Sequence, residues 1–305
     1  MSIRKISLIS MLLIFPLSSF SQDTSASPSD RWKLSLQSNL TLTLNSYSDN
    51  WAGDEYSAFS WNSQFSATAQ RALTSWLESN NTLKLAFGQT AIQTEDTTGE
   101  KEWQSLKKSA DLVDFESVAQ FTLKSFVDPF VSVRSVTQFV DRRSEEYDYY
   151  FNPLVLTESF GAIRDLVNND RITWSVRLGG AVRQSIERND VLPDSLKPAD
   201  NFTNDGGVEL VTDFKATTSE EKLKFISQLK VFEALVSSKA DRYAGTERED
   251  YWRYPDVFWE NTLGVSLVKY VSLSLYAQFV YDKEVDPDAR YRQTAGLTLT
   301  YSFEN

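Results

Sequence analysis

The chain of 305 residues contains no histidine and no cysteine. Without histidine, the hydrolytic sites that use an imidazole as general base are excluded. Without either residue type, ordinary zinc and haem sites are excluded as well, so no cofactor is expected. Disulfides contribute nothing to stability, even in an oxidising compartment.

Long apolar runs are also missing. After residue 21, no run of Ala, Val, Ile, Leu, Phe, Trp or Tyr exceeds three residues, so no transmembrane helix is expected there. Basic residues are outnumbered, and the formal net charge is −11. Because nucleic-acid phosphates require a basic surface, this charge argues against a nucleic-acid partner.

The N-terminus has the pattern of a secretory signal peptide. Arg4 and Lys5 precede a short apolar stretch at 6–15, and small residues end at Ser21. A membrane anchor is the alternative, but the apolar stretch is too short for one. We therefore expect residues 1–21 to be cleaved and residues 22–31 to form a loose periplasmic tail.

The last segment, 291–303, alternates from Ala295 to Phe303 between apolar and small or polar residues. Such a period of two predicts a β-strand with one apolar face, about as long as a tilted strand that crosses a bilayer. The segment resembles the closing strand of bacterial outer-membrane β-barrels, in which it is the signal read by the barrel-assembly machinery. The resemblance implies that this machinery is a partner and that the signal is carried by Leu297, Leu299, Tyr301 and Phe303.

The same alternation recurs along the chain and predicts twelve strands. The first, which starts at Trp32, runs about thirteen residues, whereas strands of soluble proteins usually have five or six. The sixth, from Leu154 to Ile163, has the weakest pattern. The predicted fold class is all-β: a transmembrane antiparallel β-barrel of about twelve strands over residues 32–303.

The connections between the predicted strands alternate between long and short. The long ones are 46–57, 93–109, 141–152, 187–207, 238–256 and 282–290, and the short ones lie near 72–80, 125–128, 166–170, 217–221 and 268–270. Outer-membrane barrels have long external loops and short periplasmic turns, and closure requires an even strand number when both ends are periplasmic. The pattern therefore predicts the cell outer membrane as location, with its lipids and lipopolysaccharide as surroundings.

The polar faces of the predicted strands carry charges of both signs, and we expect them to line the lumen. Two hypotheses follow. Either the lumen is a narrow hydrated channel with a selective constriction, or its charges neutralise one another in a closed structural interior. A water path past Arg171, Arg177 and Arg183 would favour the channel, and a row of short salt bridges there would favour the closed interior. The candidates are Arg134, Arg171, Arg177, Arg183, Asp114, Glu116, Glu209, Asp213, Lys222, Lys224, Lys230 and Glu260.

The function expected first is a channel for small polar or cationic solutes, because acidic residues outnumber basic ones about two to one in the long connections. The alternative is a non-conducting barrel that serves envelope structure or binds a partner through 187–207 and 238–256. A hydrolase without histidine is third. Its candidate pair is Asp114 and Glu116, which share a face at i, i+2, about 7 Å apart. Pairing with lumen Arg or Lys is the expected role of these two acids, so no enzyme activity is expected.

Several short motifs give the chain a family resemblance. They are Asn50-Trp51-Ala52-Gly53, Lys108-Ser109 with Asp111, Thr137-Gln138-Phe139, Asn152-Pro153-Leu154 and Ser159-Phe160-Gly161. With these, the chain resembles an uncharacterised family of outer-membrane barrels common in Bacteroidota. The family often has a Gly-Gly pair where this chain has Gly53-Asp54. The resemblance implies the fold and the location, and it implies no activity.

Overall fold

The computed structural model describes residues 31–47, 56–95, 101–123, 125–142, 148–188, 202–218, 222–240 and 244–304, without the side chains of 302–304. The predicted signal peptide and all but the last residue of the predicted tail lie outside these ranges. So does the motif at 50–53. Among the described residues, no helix is long and apolar enough to cross a membrane.

Twelve long antiparallel strands form one closed barrel. Each strand pairs with its neighbours in sequence, and the last strand pairs with the first, so that no long strand is left with a free edge. The strands are β1 Lys33–Asn45, β2 Ala58–Ala72, β3 Leu77–Glu95, β4 Lys107–Phe121, β5 Asp128–Thr137, β6 Leu154–Asn168, β7 Ile172–Ile186, β8 Phe202–Thr217, β9 Leu223–Ser237, β10 Asp256–Val268, β11 Val271–Tyr281 and β12 Arg290–Glu304. The predicted fold class and strand number are confirmed.

Short elements occur only in the long connections of the described chain. They are the strands Lys101–Trp103, Val140–Asp141 and Tyr149–Tyr150, and the 3-10 helix Tyr251–Arg253. The connections alternate between long and short as the sequence predicts. We call the end with the short connections and both chain ends the turn end, and the opposite end the loop end.

The barrel is apolar outside and polar inside. Large apolar side chains on its exterior are open to the surroundings, such as Phe160, Leu178 and Leu297, which are 67%, 57% and 57% exposed. Buried polar side chains face inward, such as Asp114 and Arg177. Because a soluble protein hides its apolar faces, this arrangement is typical of a barrel surrounded by lipid.

Strand boundaries differ from the sequence prediction most clearly at two places. Residues 202–207 belong to β8, although their polar and glycine-rich composition predicts a loop, and β3 begins at Leu77 rather than after residue 80. In β8 the register shifts at Gly206 and Gly207, and a Cβ atom on Gly207 would collide with the Glu233 carbonyl. The glycines are there because β9 approaches closely, so composition alone misassigned the segment.

The sixth strand, weak in sequence, is full length in the structure. Its middle is held close to β7, where Gly161 lies directly opposite Gly179. A Cβ atom on either glycine would collide with the backbone of the other strand, at the Leu178 carbonyl for Gly161 and at the Phe160 carbonyl for Gly179. Small residues therefore weaken the apolar pattern while permitting the close packing of these two strands.

Candidate functional site

The lumen is divided lengthwise into two sides. On the packed side, formed by the inward faces of β4–β9, charged side chains fill the interior with hydrogen-bonded ion pairs. On the open side, formed mainly by β1–β3 and β10–β12, a large cavity is lined chiefly by hydroxyl and amide side chains. The packed side comes from the middle of the chain, and the open side comes chiefly from its two ends, with the turn-end parts of β7–β9 completing the wall.

Two arginine–carboxylate pairs form the centre of the packed side. Arg134 on β5 donates to both oxygens of Asp114 on β4, with Nε–Oδ1 at 2.9 Å and Nη2–Oδ2 at 2.8 Å. Arg177 on β7 donates to Oε1 of Glu116 at 2.6 Å. Arg177 and Asp114 are only 5% and 6% exposed. Each acid of the pair considered for a hydrolase is thus engaged by its own arginine, as expected for acids that pair with basic lumen residues.

Further charged residues surround these pairs. Lys230 on β9 lies directly opposite Val211, which in turn lies opposite Arg177, so Lys230 belongs to the same buried layer. Asp213 on β8 accepts a hydrogen bond from the Gln228 amide. Glu209 also faces inward, opposite the buried ring of Phe232. Charges of both signs therefore compensate one another at short range within the packed side.

A cross-lumen bridge separates the two sides. Lys84 on β3 donates to the carboxylate of Glu260 on β10 at 2.5 Å and to Oε1 of Gln228 at 3.0 Å. Because β3 and β10 lie five strands apart around the closed barrel, this contact spans the interior. The alternation of β3 places Lys84 on the inward face, but only the closed barrel reveals that it crosses the lumen.

The cavity on the open side has a volume of about 1580 Å³. Along β1 it is lined from Ser35 to Thr43, roughly 26 Å of strand at 3.3 Å per residue. It begins among the short turns, at residues such as Asn169 and Tyr270, and reaches Arg292 near the loop end of β12. The cavity therefore extends over almost the whole height of the described barrel wall.

The charged residues that line the cavity are mostly basic. Among the described residues they are Arg171, Lys215, Lys222, Lys224, Lys269 and Arg292, with Asp170 as the acid. Glu220 and Glu221, in the turn before Lys222, lie outside the described residues. Lys224 on β9 reaches across the cavity and donates to Oε1 of Gln37 on β1 at 3.4 Å. The cavity is thus crossed by a lysine within its turn-end half.

The predicted lumen residues divide between the two sides. Arg171 and Lys222 lie in turns, one residue before β7 and β9 begin, where they line the cavity with Lys224. The other nine candidates face inward away from the cavity. Arg177 and Arg183 are held in ion pairs, so the short salt bridges expected there for a closed interior are present. The cavity follows the opposite wall of the barrel.

At the loop end, charged residues fix the connection between β9 and β10 against the barrel. Arg183 pairs with Asp205 at 3.3 Å and with Asp256, and Lys239 pairs with Asp205 at 3.4 Å and with Glu284 at 2.7 Å. Burial alone would lower the pKa of the Lys239 ammonium, but the carboxylates of Glu284 and Asp205 outweigh burial and raise that pKa above its ordinary value of 10.5.

The same connection is also held by apolar contacts. Trp252 of the 3-10 helix is 9% exposed and packs with Ala181, Phe232 and Ala234 in a buried cluster inside the barrel. The 3-10 helix of this connection therefore packs inward over the packed side, where Trp252 adds to the filling of the interior.

The motif residues at the loop end meet in a second anchor. The Lys108 ammonium donates to Asp111 at 3.0 Å and to Gln138 at 2.7 Å, and Asp111 accepts the backbone N–H of Phe139 at 2.6 Å. Gln138 donates to the Asn152 carbonyl, and the Asn152 amide donates to Asp141 at 2.7 Å. These residues come from three separate motifs of the family resemblance, and together they fix the loop between β5 and β6.

The residues named as the assembly signal lie at the exterior. Leu297, Leu299 and Tyr301 are 57%, 52% and 62% exposed. The side chain of Phe303 is outside the described part of the chain. No group of three or more potential ligands that could hold a metal ion occurs among the described residues.

Comparisons with known proteins show likeness only to solved barrels. No family model matches the chain, and no curated protein does. An outer membrane channel from Pseudomonas putida F1 has 12% sequence identity and a TM-score of 0.43, with 93% of this chain and 99% of that chain covered. The translocator domain of the autotransporter NalP from Neisseria meningitidis has 9% identity and a TM-score of 0.36, with 92% and 90% covered. At such values neither likeness carries an argument about function.

Proposed function

We propose that this protein is an integral outer-membrane β-barrel that conducts small polar solutes through its open side. The observation that carries the proposal is the cavity of about 1580 Å³, which follows the β1 wall from Ser35 to Thr43 and is lined chiefly by uncharged polar groups. A pathway of this kind offers hydrogen-bonding partners to a solute along its length. The filled half of the lumen restricts the width to one side of the barrel.

The location is part of this proposal. The apolar exterior supports a location in lipid, and the alternation of loops and turns supports a turn end that faces the periplasm. Outer-membrane lipids, lipopolysaccharide and the barrel-assembly machinery, which would read the exposed face of β12, are the proposed surroundings and partner. Membership of the barrel family common in Bacteroidota is likewise a proposal, supported by the anchor that its motif residues build.

A non-conducting barrel is the second candidate, and the packed side favours it. Ion pairs and the inward-packed 3-10 helix with Trp252 fill half of the interior, as a structural or partner-binding barrel would require. We propose no enzyme activity, because the carboxylates of Asp114 and Glu116 are both engaged by arginine. A variant with both replaced by their amides is expected to be less stable but to retain its function in the fraction that folds.

Single cysteines test the channel directly, since the natural chain has none. Asn39 lines the cavity, and its neighbour Leu40 points to the exterior and is 36% exposed. The refolded barrel, checked by heat-modifiable gel migration, is placed in a planar bilayer and treated with a charged thiol reagent. We expect discrete conductance steps that the reagent reduces for Asn39→Cys and leaves unchanged for Leu40→Cys.

A folded barrel without conductance steps would contradict the proposal and favour the second candidate. Steps that respond equally at both positions would mean that current flows elsewhere than through the open side.

A further inference from the structure

The side chain of Lys224 crosses the open side. Lys224 and Gln37 both line the cavity, and their Nζ–Oε1 distance of 3.4 Å joins β9 to β1, which lie four strands apart around the barrel. Other lining residues lie beyond this contact in both directions, Lys269 toward the turns and Arg292 toward the loops. A solute that follows the cavity must therefore pass a lysine ammonium at close range.

Among the described residues, the charge near this crossing is positive. Arg171, Lys215 and Lys269 line the same turn-end half of the cavity, and Asp170 is the acid described there. The long connections are acidic, but at physiological ionic strength a charge is screened beyond about 8 Å, so the loops act at the mouth and not at the crossing. Ion preference is set where the pathway is narrow and its walls have a low dielectric constant.

We propose that the open side passes small anions in preference to cations, and that Lys224 is the residue that sets this preference. The inference rests on the proposed channel function and replaces the cationic solute expected from the loops. It assigns the solute to the class of small anions or of polar molecules with an anionic group. Gln37 positions the ammonium by accepting its hydrogen bond.

The test is the reversal potential in a planar bilayer under a gradient of potassium chloride. We expect the wild-type barrel to favour chloride. Lys224→Gln should lower the chloride-to-potassium permeability ratio about thirtyfold, because one unit charge at about 4 Å in a medium like water favours chloride and disfavours potassium by about five- to sixfold each. Lys224→Glu should lower the ratio further. Lys101→Gln is the matched control, because Lys101 lies in a short strand at the loop end and does not line the cavity.

The outcomes separate the two proposals. A folded wild-type barrel without steps refutes the channel, and the anion preference falls with it. Steps that favour potassium, or that favour neither ion, refute the anion preference and leave the channel standing. If the Lys224 variants do not fold, the sign of the wild-type reversal potential still decides whether the barrel favours anions. Gln37→Ala, which removes the crossing contact, should then raise conductance while chloride remains favoured.

Discussion

Replacing Asp114 by asparagine should destabilise the barrel strongly. The change removes the acceptor charge of a two-bonded pair with Arg134, whose side chain is 18% exposed, while that of Asp114 is 8% exposed. Loss of one partner leaves a guanidinium buried without its counter-charge, which typically costs about 3–5 kcal/mol. Because Glu116 lies directly opposite Arg134 on β4, a second carboxylate remains near, and we expect the lower end, about 3 kcal/mol.

The measurement is urea unfolding of the barrel in lipid vesicles, followed by tryptophan fluorescence in both directions. Asp250→Asn is the matched control, since Asp250 pairs with Arg253 at 3.1 Å but both side chains are more than 60% exposed, at 63% and 64%. An exposed pair contributes about 0–1 kcal/mol, so this variant should unfold almost like the wild type. Equal losses in the two variants would refute the reasoning from burial.

The double variant Asp114→Asn with Arg134→Met refines the test. Once both charges are gone, no buried charge is left without a partner, so the double variant should be more stable than the sum of the two single losses predicts. Simple addition of the two losses would show that the pair is not coupled and that its short distances contribute nothing to stability.

Two further changes test the bridge across the lumen and the anchor at the loop end. Lys84→Met removes the cross-lumen bridge to Glu260, so single-channel conductance should rise without loss of the folded form on gels, and an unchanged conductance would show that the bridge does not limit the open side. The raised pKa of Lys239 means that its pairing with Glu284 and Asp205 stabilises the fold fully below pH 10.5 and is lost as the pH rises through the higher folded-state pKa. In the wild type, protease cleavage between 238 and 255 should therefore increase only at such alkaline pH. The Lys239→Gln variant should be cleaved at pH 8 as readily as the wild type is at alkaline pH. Protection of this variant at pH 8 would contradict the anchoring role.

The strands could be predicted because a barrel wall repeats one local rule. Successive residues of a strand face opposite sides of the sheet, so the inward position of residues such as Glu209 or Lys230 follows from their neighbours alone. The same rule placed Leu297 and Leu299 on the exterior. It fails where glycine replaces a patterned residue, as at Gly206, because local pattern does not record how closely the next strand approaches.

The division of the lumen could not be predicted. Alternation shows which residues face inward, but it does not show which inward residues meet across the interior. The bridge between Lys84 and Glu260 joins positions that are 176 residues apart in sequence, and the contact between Lys224 and Gln37 joins positions 187 apart. Both contacts depend on the closed circle of strands, which a local pattern does not show. The sequence therefore predicts a cationic solute from the loops, whose charge is visible in it.

The open side can form only at a late stage of barrel assembly. Its walls come chiefly from the first three and the last three strands, with the turn-end parts of β7–β9 completing them. The two groups of strands become neighbours only through the pairing of β1 with β12, in which Thr41 and Thr298 also share a hydrogen bond of 2.9 Å between their hydroxyls. The packed side needs only strands that follow one another along the chain. An assembly intermediate can therefore hold the ion pairs of the packed side, but none can hold the pathway before the two ends of the chain have met.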